Sequence, residues 1–397
     1  MKILDKVYAY TRLDEAKKAG LYPYFSPLPS TSSKQVMLGS NNYLGLTKHR
    51  QVIENSLAAV RAKGTSCTGS RFLNGTLAEH LILEKSLADF YQREDAQTFT
   101  TGYQTNLGVL ASLTGKDDVI VLDKEVHASV IDGALMAASG GATIMRFKHN
   151  CAKHLATVLS RIPEDKGKVV VVDGVYSMGG DLADLPALAP VCKQHDAMLI
   201  VDDAHGSGVL GKQGRGTVDH YGLDNQVDLI TGTFSKSFAS LGGYVVGKNK
   251  IIDFIRHNAR ALIFSAAMTP MHIAAAMSSL QIMQSEPERQ QRLLAHSKFM
   301  RRELAELGFD IGDPNNITPI IPIFIRDETL TIQFYYRLLK LGVYTNPVVS
   351  PAVASKDCLL RTSYMSTQSL HDLQFAIAAF AKVGQELGVI EIPVECV

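Results

Sequence analysis

The stretch AMLIVDDAHGSG at 197–208 joins an apolar run to a group of polar residues. Three other apolar runs share this form, namely VIVL at 119–122, KVVVVDGVYS at 168–177 and LITGTFSK at 229–236. Short runs that are apolar at nearly every position are typical of strands buried on both faces. The segments between them are long enough for crossover helices. The sequence therefore predicts an α/β fold with a mainly parallel central sheet and helices on both sides.

A change of sequence character near residue 285 divides this predicted architecture. The polar stretch EPERQQRLLAHSKFMRRELAELG begins there, and a second set of strands and helices follows it. The chain of 397 residues is also too long for one compact core. We therefore expect three parts, which are an N-terminal segment at 1–49, a large domain at 50–285 and a smaller α+β domain at 286–397.

The N-terminal segment places Ile3, Leu4, Val7 and Tyr8 at helical spacing. This spacing predicts a short amphipathic helix that packs on the rest of the chain, with peripheral membrane contact as the alternative. Charged residues interrupt the segment, so it cannot be the core of a signal peptide, and no apolar run elsewhere reaches transmembrane length. We expect a cytoplasmic protein.

Composition excludes several classes of function. The chain has 40 basic and 39 acidic residues and is 46% hydrophobic, which gives no electrostatic reason to expect a nucleic-acid partner. The five cysteines stand singly, without a Cys-x-x-Cys pair or a histidine at zinc-ligand spacing. We therefore expect no metal site and reduced thiols at all five positions, Cys67, Cys151, Cys192, Cys358 and Cys396.

The candidate chemistry lies where the predicted strands end. Lys236 follows one strand, where an isolated lysine is usually a solvated surface residue, but the preceding strand ends in Asp202, Asp203 and His205. A carboxylate at the end of an apolar strand is costly unless it meets a positive group. The protonated ring nitrogen of pyridoxal 5′-phosphate (PLP) is such a group. We therefore predict a PLP site with Lys236 as its amine and Asp202 at the ring nitrogen, and polar strand caps are the alternative.

A phosphate needs its own binding groups. Gly102 and Tyr103 directly precede an apolar-periodic helix, whose free backbone amides can bind an anion. The hydroxyls of Thr233 and Ser235 can add charge-assisted hydrogen bonds, with helix capping as the alternative for each. These four residues form the predicted phosphate site.

Two further residues complete the prediction. His127, in LDKEVHASVIDG, lies on a turn between a strand and a helix, where an imidazole can stack on a cofactor ring and handle protons near neutral pH. Arg361, in CLLRTSYMS, can bind a carboxylate bidentately from the smaller domain. Taken alone, His127 has the alternative of a structural histidine, and Arg361 has the alternative of a surface salt bridge.

Seven segments, in one order, resemble the α-oxoamine synthases, a family of fold-type I PLP enzymes with an aspartate aminotransferase-like fold. The resemblance covers nearly the whole chain, and the segments that carry it are SNNYLGL at 40–46, GSRFLNGT at 69–76, GYQTNLG at 102–108, DKEVHASVIDG at 123–133, VYSMGGDLADL at 175–185, VDDAHGSGVLG at 201–211 and TFSKSFASLGG at 233–243. The branch that the chain resembles most is that of the bacterial serine palmitoyltransferases. The segments that carry this finer resemblance are GSRFLNGT, HNARALIFSAAMTP at 257–270 and NPVVSPAV at 346–353.

The resemblance implies roles for individual residues. It implies that Lys236 binds PLP covalently, that His127 stacks over the ring and that Asp202 pairs with its nitrogen. It also implies that His205 and Ser177 serve the phenolic oxygen of the ring.

Further implied roles concern the substrate and the second subunit. Asn41 and Arg361 would hold the substrate carboxylate. Members of the family are homodimers with the site at the interface, which implies that Ser265 reaches the phosphate of the neighbouring subunit. The loop that carries Ser70 and Arg71 would also approach that neighbouring site.

The implied activity is a decarboxylative Claisen condensation of L-serine with a long-chain acyl thioester such as palmitoyl-CoA, which gives 3-ketodihydrosphingosine, CoA and CO2. Glycine or alanine with another acyl-CoA or an acyl carrier protein would use the same chemistry, as in 2-amino-3-ketobutyrate CoA ligase and 8-amino-7-oxononanoate synthase. Transamination or retro-aldol cleavage is a rival that needs no thioester. An inactive partner subunit is a further rival, which the presence of Lys236, His127 and Asp202 opposes.

Three residues depart from the family pattern. Ser66 and Thr68 stand in GTSCTGSR where such enzymes usually have Gly and Ala, and Gln368 stands where a His commonly follows the arginine motif. These departures bear on the choice of substrate and not on the cofactor.

Overall fold

A computed structural model describes residues 1–28 and 35–391 of the chain. In these residues Cys67, Cys151, Cys192 and Cys358 are free thiols, as predicted. The same prediction for Cys396 lies outside the described residues.

Helices and strands alternate through most of the chain. The helices are α1 Lys2–Tyr8, α2 Arg12–Lys18, α3 Arg50–Lys63, α4 Ala78–Phe90, α5 Gly102–Leu113, α6 Ala128–Ser139, α7 Ala152–Leu159, α8 Leu185–Gln194, α9 Thr217–His220, α10 Asn249–Asn258, α11 Arg260–Ile263, α12 Pro270–Ser285, α13 Glu288–Glu306, α14 Glu328–Lys340 and α15 Leu370–Glu386. The strands are β1 Val36–Met37, β2 Asp95–Phe99, β3 Asp118–Asp123, β4 Thr143–Phe147, β5 Gly167–Asp173, β6 Met198–Asp202, β7 Leu229–Thr233, β8 Gly243–Gly247, β9 Ile320–Phe324, β10 Val343–Tyr344, β11 Asn346–Val348 and β12 Leu359–Ser363.

The main sheet has seven strands in the order β2-β8-β7-β6-β5-β3-β4. The neighbours from β7 to β4 pair in parallel, and β8 runs antiparallel to both β7 and β2. The predicted mainly parallel sheet is therefore confirmed, and all four quoted apolar runs contribute strands to its centre.

Both faces of this sheet are covered. Successive residues of β3 enter two different apolar clusters, since Val119 and Val121 belong to one cluster and Ile120 and Leu122 to the other. Burying one such side chain contributes roughly 1.5–3 kcal/mol. A strand that must satisfy two cores cannot alternate with polar residues, which explains its continuous apolar sequence.

The polar residues that end the parallel strands lie at one edge of the sheet. Asp123, Asp173, Asp202 and Thr233 are the last residues of β3, β5, β6 and β7. In the register, Asp173 lies opposite Asp202. Because ligands of open α/β sheets bind beyond the carboxyl ends of the strands, this edge is where a site is expected.

A second group of elements follows α12. Strands β11, β12 and β9 form an antiparallel sheet that packs with α13, α14 and α15. The N-terminal segment joins this group, because β1 pairs in parallel with β10. The predicted boundary near residue 285 falls between α12 and α13.

The short helix predicted at the N-terminus is present, because α1 contains Ile3, Leu4, Val7 and Tyr8, and a second short helix, α2, follows it. The prediction that its apolar residues pack on the rest of the chain is wrong. Ile3, Val7 and Tyr8 are 71%, 60% and 77% exposed, so they do not pack on the rest of the chain. None of the helices in residues 1–28 and 35–391 is long and apolar enough to cross a membrane.

Candidate active site

A cavity of about 260 Å³ opens at the carboxyl edge of the main sheet. Of the thirteen residues predicted for the site, nine line it, which are Gly102, Tyr103, His127, Ser177, Asp202, His205, Thr233, Ser235 and Lys236. Asn41, Arg361, Ser70 and Ser265 lie outside the lining. The strand order explains the convergence, since β6 and β7 are neighbours and their ends carry Asp202 and Lys236 to the same place.

The Lys236 amine is partly accessible through this cavity. Among the described residues it makes no hydrogen bond or ion pair. Loss of hydration lowers its pKa to about 8, Asp202 and Asp173 oppose this change, and the charge of Arg361 adds to it. At neutral pH a useful fraction of this amine is therefore unprotonated, which an ordinary lysine does not offer.

Asp202 is 7% exposed and is fixed by two donors. Its Oδ2 accepts a hydrogen bond from Asn106 Nδ2 at 2.7 Å, and its Oδ1 accepts one from the Ala204 amide at 3.1 Å. Neither donor is a cation, so in the described part of the chain this carboxylate has no ion-pair partner. A buried carboxylate in this state is a ready acceptor for a positively charged ligand group.

His127 forms the N-cap of α6. Its Nδ1 accepts from the Ser129 amide at 3.2 Å and lies 2.8 Å from Ser129 Oγ, while its own amide donates to Asp173 Oδ2 at 3.1 Å. Burial lowers the pKa of the imidazole, and the nearby Asp202 opposes that change. The ring is therefore held at the cavity wall mainly in its neutral form.

The N-terminus of α5 faces the cavity with its free amides. A Cβ on Gly102 would lie 2.8 Å from the Cβ of Thr233, so any other residue would push the helix end away from β7. Thr233 Oγ1 lies 2.8 Å from Ser235 Oγ, which groups two hydroxyls beside the amides. Tyr103 also lines the cavity, and its hydroxyl donates to Asp132.

A hydrogen-bonded chain leads from the cavity to Arg361 in β12. His205 Nδ1 lies 2.6 Å from Tyr43 Oη, which donates to Asn41 Oδ1 at 3.3 Å. Arg361 Nη2 donates to the same Asn41 oxygen at 3.0 Å, and Arg361 Nε donates to the Ser177 carbonyl at 2.5 Å. Burial and the charges of Lys236 and Arg361 keep the pKa of His205 well below its ordinary value.

The Arg361 guanidinium is 5% exposed. Within the described residues it forms no ion pair with a carboxylate, although two neutral oxygens orient it. A buried cation without a counterion is costly, and an incoming anion would remove that cost. This arrangement is therefore suited to binding a carboxylate.

Ser70 and Ser265 belong to two segments that are joined beside α5. Ser70 and Ala266 form an isolated antiparallel bridge, and Ser265 Oγ accepts from Gln104 Nε2 at 2.8 Å. Ser70 Oγ is buried without a partner among the described residues. These serines do not reach the cavity of their own chain.

Comparison with known proteins agrees with this architecture. The model of the aminotransferase class I and II family matches residues 33–378. A serine palmitoyltransferase from Sphingobacterium spiritivorum is 42% identical over 390 residues, which cover 96% of each chain. The chain belongs to the aminotransferase class I and II family, in its α-oxoamine synthase branch.

Other members of the branch are also similar over their full lengths. A structure of the S. paucimobilis serine palmitoyltransferase with a bound PLP–myriocin aldimine has a TM-score of 0.93 and 32% identity, and it covers 98% of this chain and 99% of that one. An 8-amino-7-oxononanoate synthase from Symbiobacterium thermophilum is 38% identical, over 95% of this chain and 97% of its own. The predicted fold-type I architecture is confirmed.

Three residues near the cavity were not predicted. The side-chain Nδ2 of Asn106 donates to Asp202 Oδ2 and to Ser129 Oγ. Its Oδ1 accepts from Thr231 Oγ1 at 2.9 Å. It lies four residues after Gly102, on the same face of α5, and that spacing could have revealed it. Asp173 could have been found because it ends its strand as Asp202 does. Tyr43 stands in SNNYLGL, but no local signal indicates that its hydroxyl meets His205.

The three departures from the family pattern have local partners. Gln368 Nε2 donates to the Met37 carbonyl at 2.8 Å, and its Oε1 accepts from the Met365 amide at 2.9 Å. Ser66 Oγ accepts from the Thr68 amide at 3.1 Å. All three positions lie outside the cavity lining, and the contacts of Ser66 and Gln368 are with nearby backbone groups.

Proposed function

We propose that this chain catalyses the PLP-dependent decarboxylative condensation of L-serine with a palmitoyl thioester, which yields 3-ketodihydrosphingosine, the free thiol and CO2. The observation that carries the proposal is that one cavity contains both a Lys236 amine without a hydrogen-bond partner and an Asp202 carboxylate without an ion-pair partner, among the described residues. The similarity to serine palmitoyltransferases over 96% of the chain supports the choice of substrates.

The residues of the cavity fit PLP. Each charged or polar part of the cofactor has a complementary group in the lining. The amides at Gly102 and the hydroxyls of Thr233 and Ser235 would hold the phosphate, Asp202 would pair with the ring nitrogen, and Lys236 would bind the aldehyde. When bound, PLP withdraws electrons from the Cα atom of an attached amino acid and so stabilises negative charge there.

In this proposal Lys236 has two tasks. Its amine would hold PLP covalently, and when free it would remove the proton from the Cα of the bound amino acid. A pKa of about 8 suits both tasks near neutral pH. A proton that leaves Cα then rests on Nζ, close to the two carboxylates Asp202 and Asp173.

Asp202 would hold a proton at the PLP ring nitrogen, and the hydrogen bond from Asn106 fixes the orientation of its carboxylate. His127 forms one wall of the cavity, and its imidazole would contact the cofactor ring. Ser129 fixes the plane of the imidazole through Nδ1, which leaves Nε2 to face the substrate side.

Arg361 and Asn41 bind the substrate carboxylate. Arg361 offers a planar set of donors that matches a carboxylate, and the contact with Asn41 holds that set in place. We further propose that residues 286–397 form a separate small domain, so that the carboxylate is held from one domain and the amine acts from the other.

The overall reaction balances with the groups described. A C–C bond forms between the serine Cα and the acyl carbon, and the C–S bond of the thioester breaks to release the thiol. The bond from Cα to the carboxylate then breaks to release CO2, and a proton returns to Cα. By holding the substrate carboxylate in one orientation, Arg361 would determine which bond at Cα is aligned for cleavage.

We also propose that two copies share their active sites, with Ser265 and Ser70 of one copy approaching the cavity of the other. Large apolar side chains flank both serines and are exposed in the single chain, namely Phe72 at 50%, Leu73 at 80% and Phe264 at 73%. Exposed apolar residues grouped in this way are typical of interfaces.

Attachment of PLP to the cofactor-free protein should show a midpoint near pH 8. Lys236 must lose its proton before its nitrogen can attack an aldehyde. At pH 7 a pKa of 10.5 leaves about one neutral amine in three thousand, whereas a pKa of about 8 leaves about one in ten. The attachment rate, followed by absorbance, should therefore rise with pH and level off above pH 8.

The control is Lys236→Ala, which can bind PLP but cannot attach it covalently. Its absorbance at each pH shows how much of the signal comes from titration of the cofactor itself. An attachment rate that continues to climb towards pH 10 would contradict the lowered pKa of Lys236.

The proposed reaction is tested by product analysis. The PLP-loaded protein receives palmitoyl-CoA with equimolar serine, glycine and alanine, and mass spectrometry identifies the products. We expect the long-chain amino ketone from serine. A ketone from glycine or alanine would favour the second candidate, an activity like that of the 38% identical 8-amino-7-oxononanoate synthase. Turnover of the amino acid without any thioester would indicate transamination or retro-aldol cleavage instead.

A further inference from the structure

A cluster of titratable groups outside the cavity links two segments that carry candidate site residues. His149 lies between two carboxylates, with Nδ1 2.9 Å from Asp123 Oδ1 and Nε2 2.7 Å from Asp181 Oδ2. A carboxylate accepts hydrogen bonds, so both ring nitrogens act as donors. Burial alone would lower the pKa of His149, but the two carboxylates outweigh it and raise the pKa to about 10. The imidazolium is therefore a charged cross-link between two segments.

On one side, this cross-link fixes the turn before α6. Asp123 is fully buried at the end of β3. Its carboxylate accepts from the amides of Glu125 and Asn150, each at 2.9 Å, in addition to His149. Glu125 lies two residues before His127, so the same carboxylate sets the start of the turn that carries the imidazole of the cavity wall.

On the other side, the cross-link holds the loop that carries Ser177. The Tyr176 amide donates to the Asp181 carbonyl at 2.9 Å, and the Gly180 amide donates to the Tyr176 carbonyl at 2.9 Å, which closes the loop on itself. The Tyr176 ring also stands edge-on to the His149 ring, with centroids 4.3 Å apart. A displacement of Asp181 would therefore move Ser177 with it.

The position of this loop decides how Arg361 is oriented. The Ser177 carbonyl accepts from Arg361 Nε at 2.5 Å, which is one of the two contacts that hold the guanidinium. The same loop is joined to the elements that follow α13, because Thr318 Oγ1 donates to the Gly180 carbonyl at 2.6 Å. The loop is thus bonded to residues of both groups of elements.

We propose that His149 is a positioning residue for the substrate carboxylate, because its bridge between Asp123 and Asp181 sets the Ser177 carbonyl that orients Arg361. The inference rests on the proposed function, since it takes Arg361 as the carboxylate-binding residue. His149 does not line the cavity, so it acts through Arg361 and not on the reacting atoms.

Loss of the imidazolium removes both bonds and the charge between two carboxylates. In a His149→Gln variant, Asp123 and Asp181 would face each other with a neutral amide between them, and like charges at this distance repel. Asp181, whose side chain is 40% exposed, would turn towards solvent, whereas the buried Asp123 could not. The loop would then shift on the Ser177 side, where Arg361 depends on it.

The matched control is His154→Gln. His154 lies in α7 five residues further along, and its Nδ1 accepts from the Lys148 amide at 3.0 Å without a carboxylate partner among the described residues. The dissociation constant of L-serine is measured from the absorbance change of the bound cofactor, together with cofactor content and the thermal midpoint. We expect His149→Gln to keep its cofactor and to bind serine about tenfold more weakly, since small misplacements of a positioning group have effects of this order. His154→Gln should bind serine as the wild type does.

A double variant separates positioning from general damage. If His149 acts through Arg361, adding His149→Gln to Arg361→Ala should not weaken serine binding further. A full tenfold effect in that background, or unchanged serine affinity in the single variant, would overturn the inference.

Asp181→Asn tests the same inference if His149→Gln does not fold, and it should also weaken serine binding. A wild-type protein that loads PLP but responds to no amino acid would contradict the proposed function itself, which this inference presupposes.

Discussion

Replacement of Lys236 by alanine should abolish formation of the amino ketone, with a fall in turnover of about 10⁴-fold. In the proposed function the variant loses both the amine that holds the cofactor and the base that takes the Cα proton. No other amine lines the cavity in the described residues, so no neighbour can take over either task. The measurement is product formation by mass spectrometry under saturating serine and palmitoyl-CoA.

The matched control is Lys248→Ala. Lys248 also follows a strand, β8, but it is exposed and lies at the opposite end of the sheet, because β8 runs antiparallel to β7. It should leave turnover unchanged. Borohydride reduction of the PLP-loaded wild type should attach the cofactor to the peptide that contains Lys236, and Lys236→Ala should show no such adduct. Normal turnover in Lys236→Ala would remove the basis of the proposed function.

The sequence predicted the position of Lys236 because two simple constraints act on it. A parallel strand buried on both faces must be apolar throughout, so β5, β6 and β7 are visible as continuous runs. The carboxyl ends of such strands lie at one edge, so Asp202 and Lys236 were expected at the same edge even though they are 34 positions apart, and the pairing of β6 with β7 makes them neighbours. Neither constraint requires knowledge of side-chain packing.

The contacts that support these residues follow from packing, and the sequence does not reveal them. Tyr43 and His205 are 162 positions apart, and their hydrogen bond exists because the segment that follows β1 crosses the carboxyl edge of the main sheet. The cross-link at His149 similarly joins three segments, and each of its members alone resembles an ordinary polar loop residue. Apolar periodicity carries no information on such pairings.

The N-terminal helices illustrate a different limit. The spacing of Ile3, Leu4, Val7 and Tyr8 correctly indicated helical structure, but it could not say what covers the apolar face. Within one chain that face remains exposed. Amphipathic spacing therefore predicted the local conformation here and failed to predict the packing.

The charges of Lys236 and Arg361 couple binding of the substrate carboxylate to the pKa of the amine. Asp202 ends β6 and Lys236 follows β7 at the edge of the main sheet, whereas Arg361 lies on β12, outside the cavity lining. The two cations oppose each other electrostatically, and this repulsion contributes to the lowered pKa of Lys236. An amino acid whose carboxylate neutralises Arg361 would raise the pKa of the lysine, so substrate binding would prepare the amine to take a proton.

Replacement of Arg361 by alanine should weaken binding of L-serine about 100-fold while the cofactor absorbance is retained. The loss corresponds to about 3 kcal/mol, which is the size expected for charge-assisted hydrogen bonds to a buried carboxylate. The cofactor is unaffected because Arg361 does not line the cavity that holds it. The dissociation constant is obtained by absorbance titration of the PLP-loaded protein with serine.

Two further variants define what Arg361 contributes. Arg361→Lys keeps the positive charge but loses the planar donor set, so it should recover only part of the affinity. Arg326→Ala, which removes an exposed arginine paired with Asp310 just beyond β9, should bind serine normally. Since the guanidinium has no counterion in the described residues, Arg361→Ala should also remove an unfavourable buried charge and leave the thermal midpoint largely unchanged. Unaltered serine affinity in Arg361→Ala would show that the carboxylate is bound elsewhere, and the role of Asn41 would fall with it.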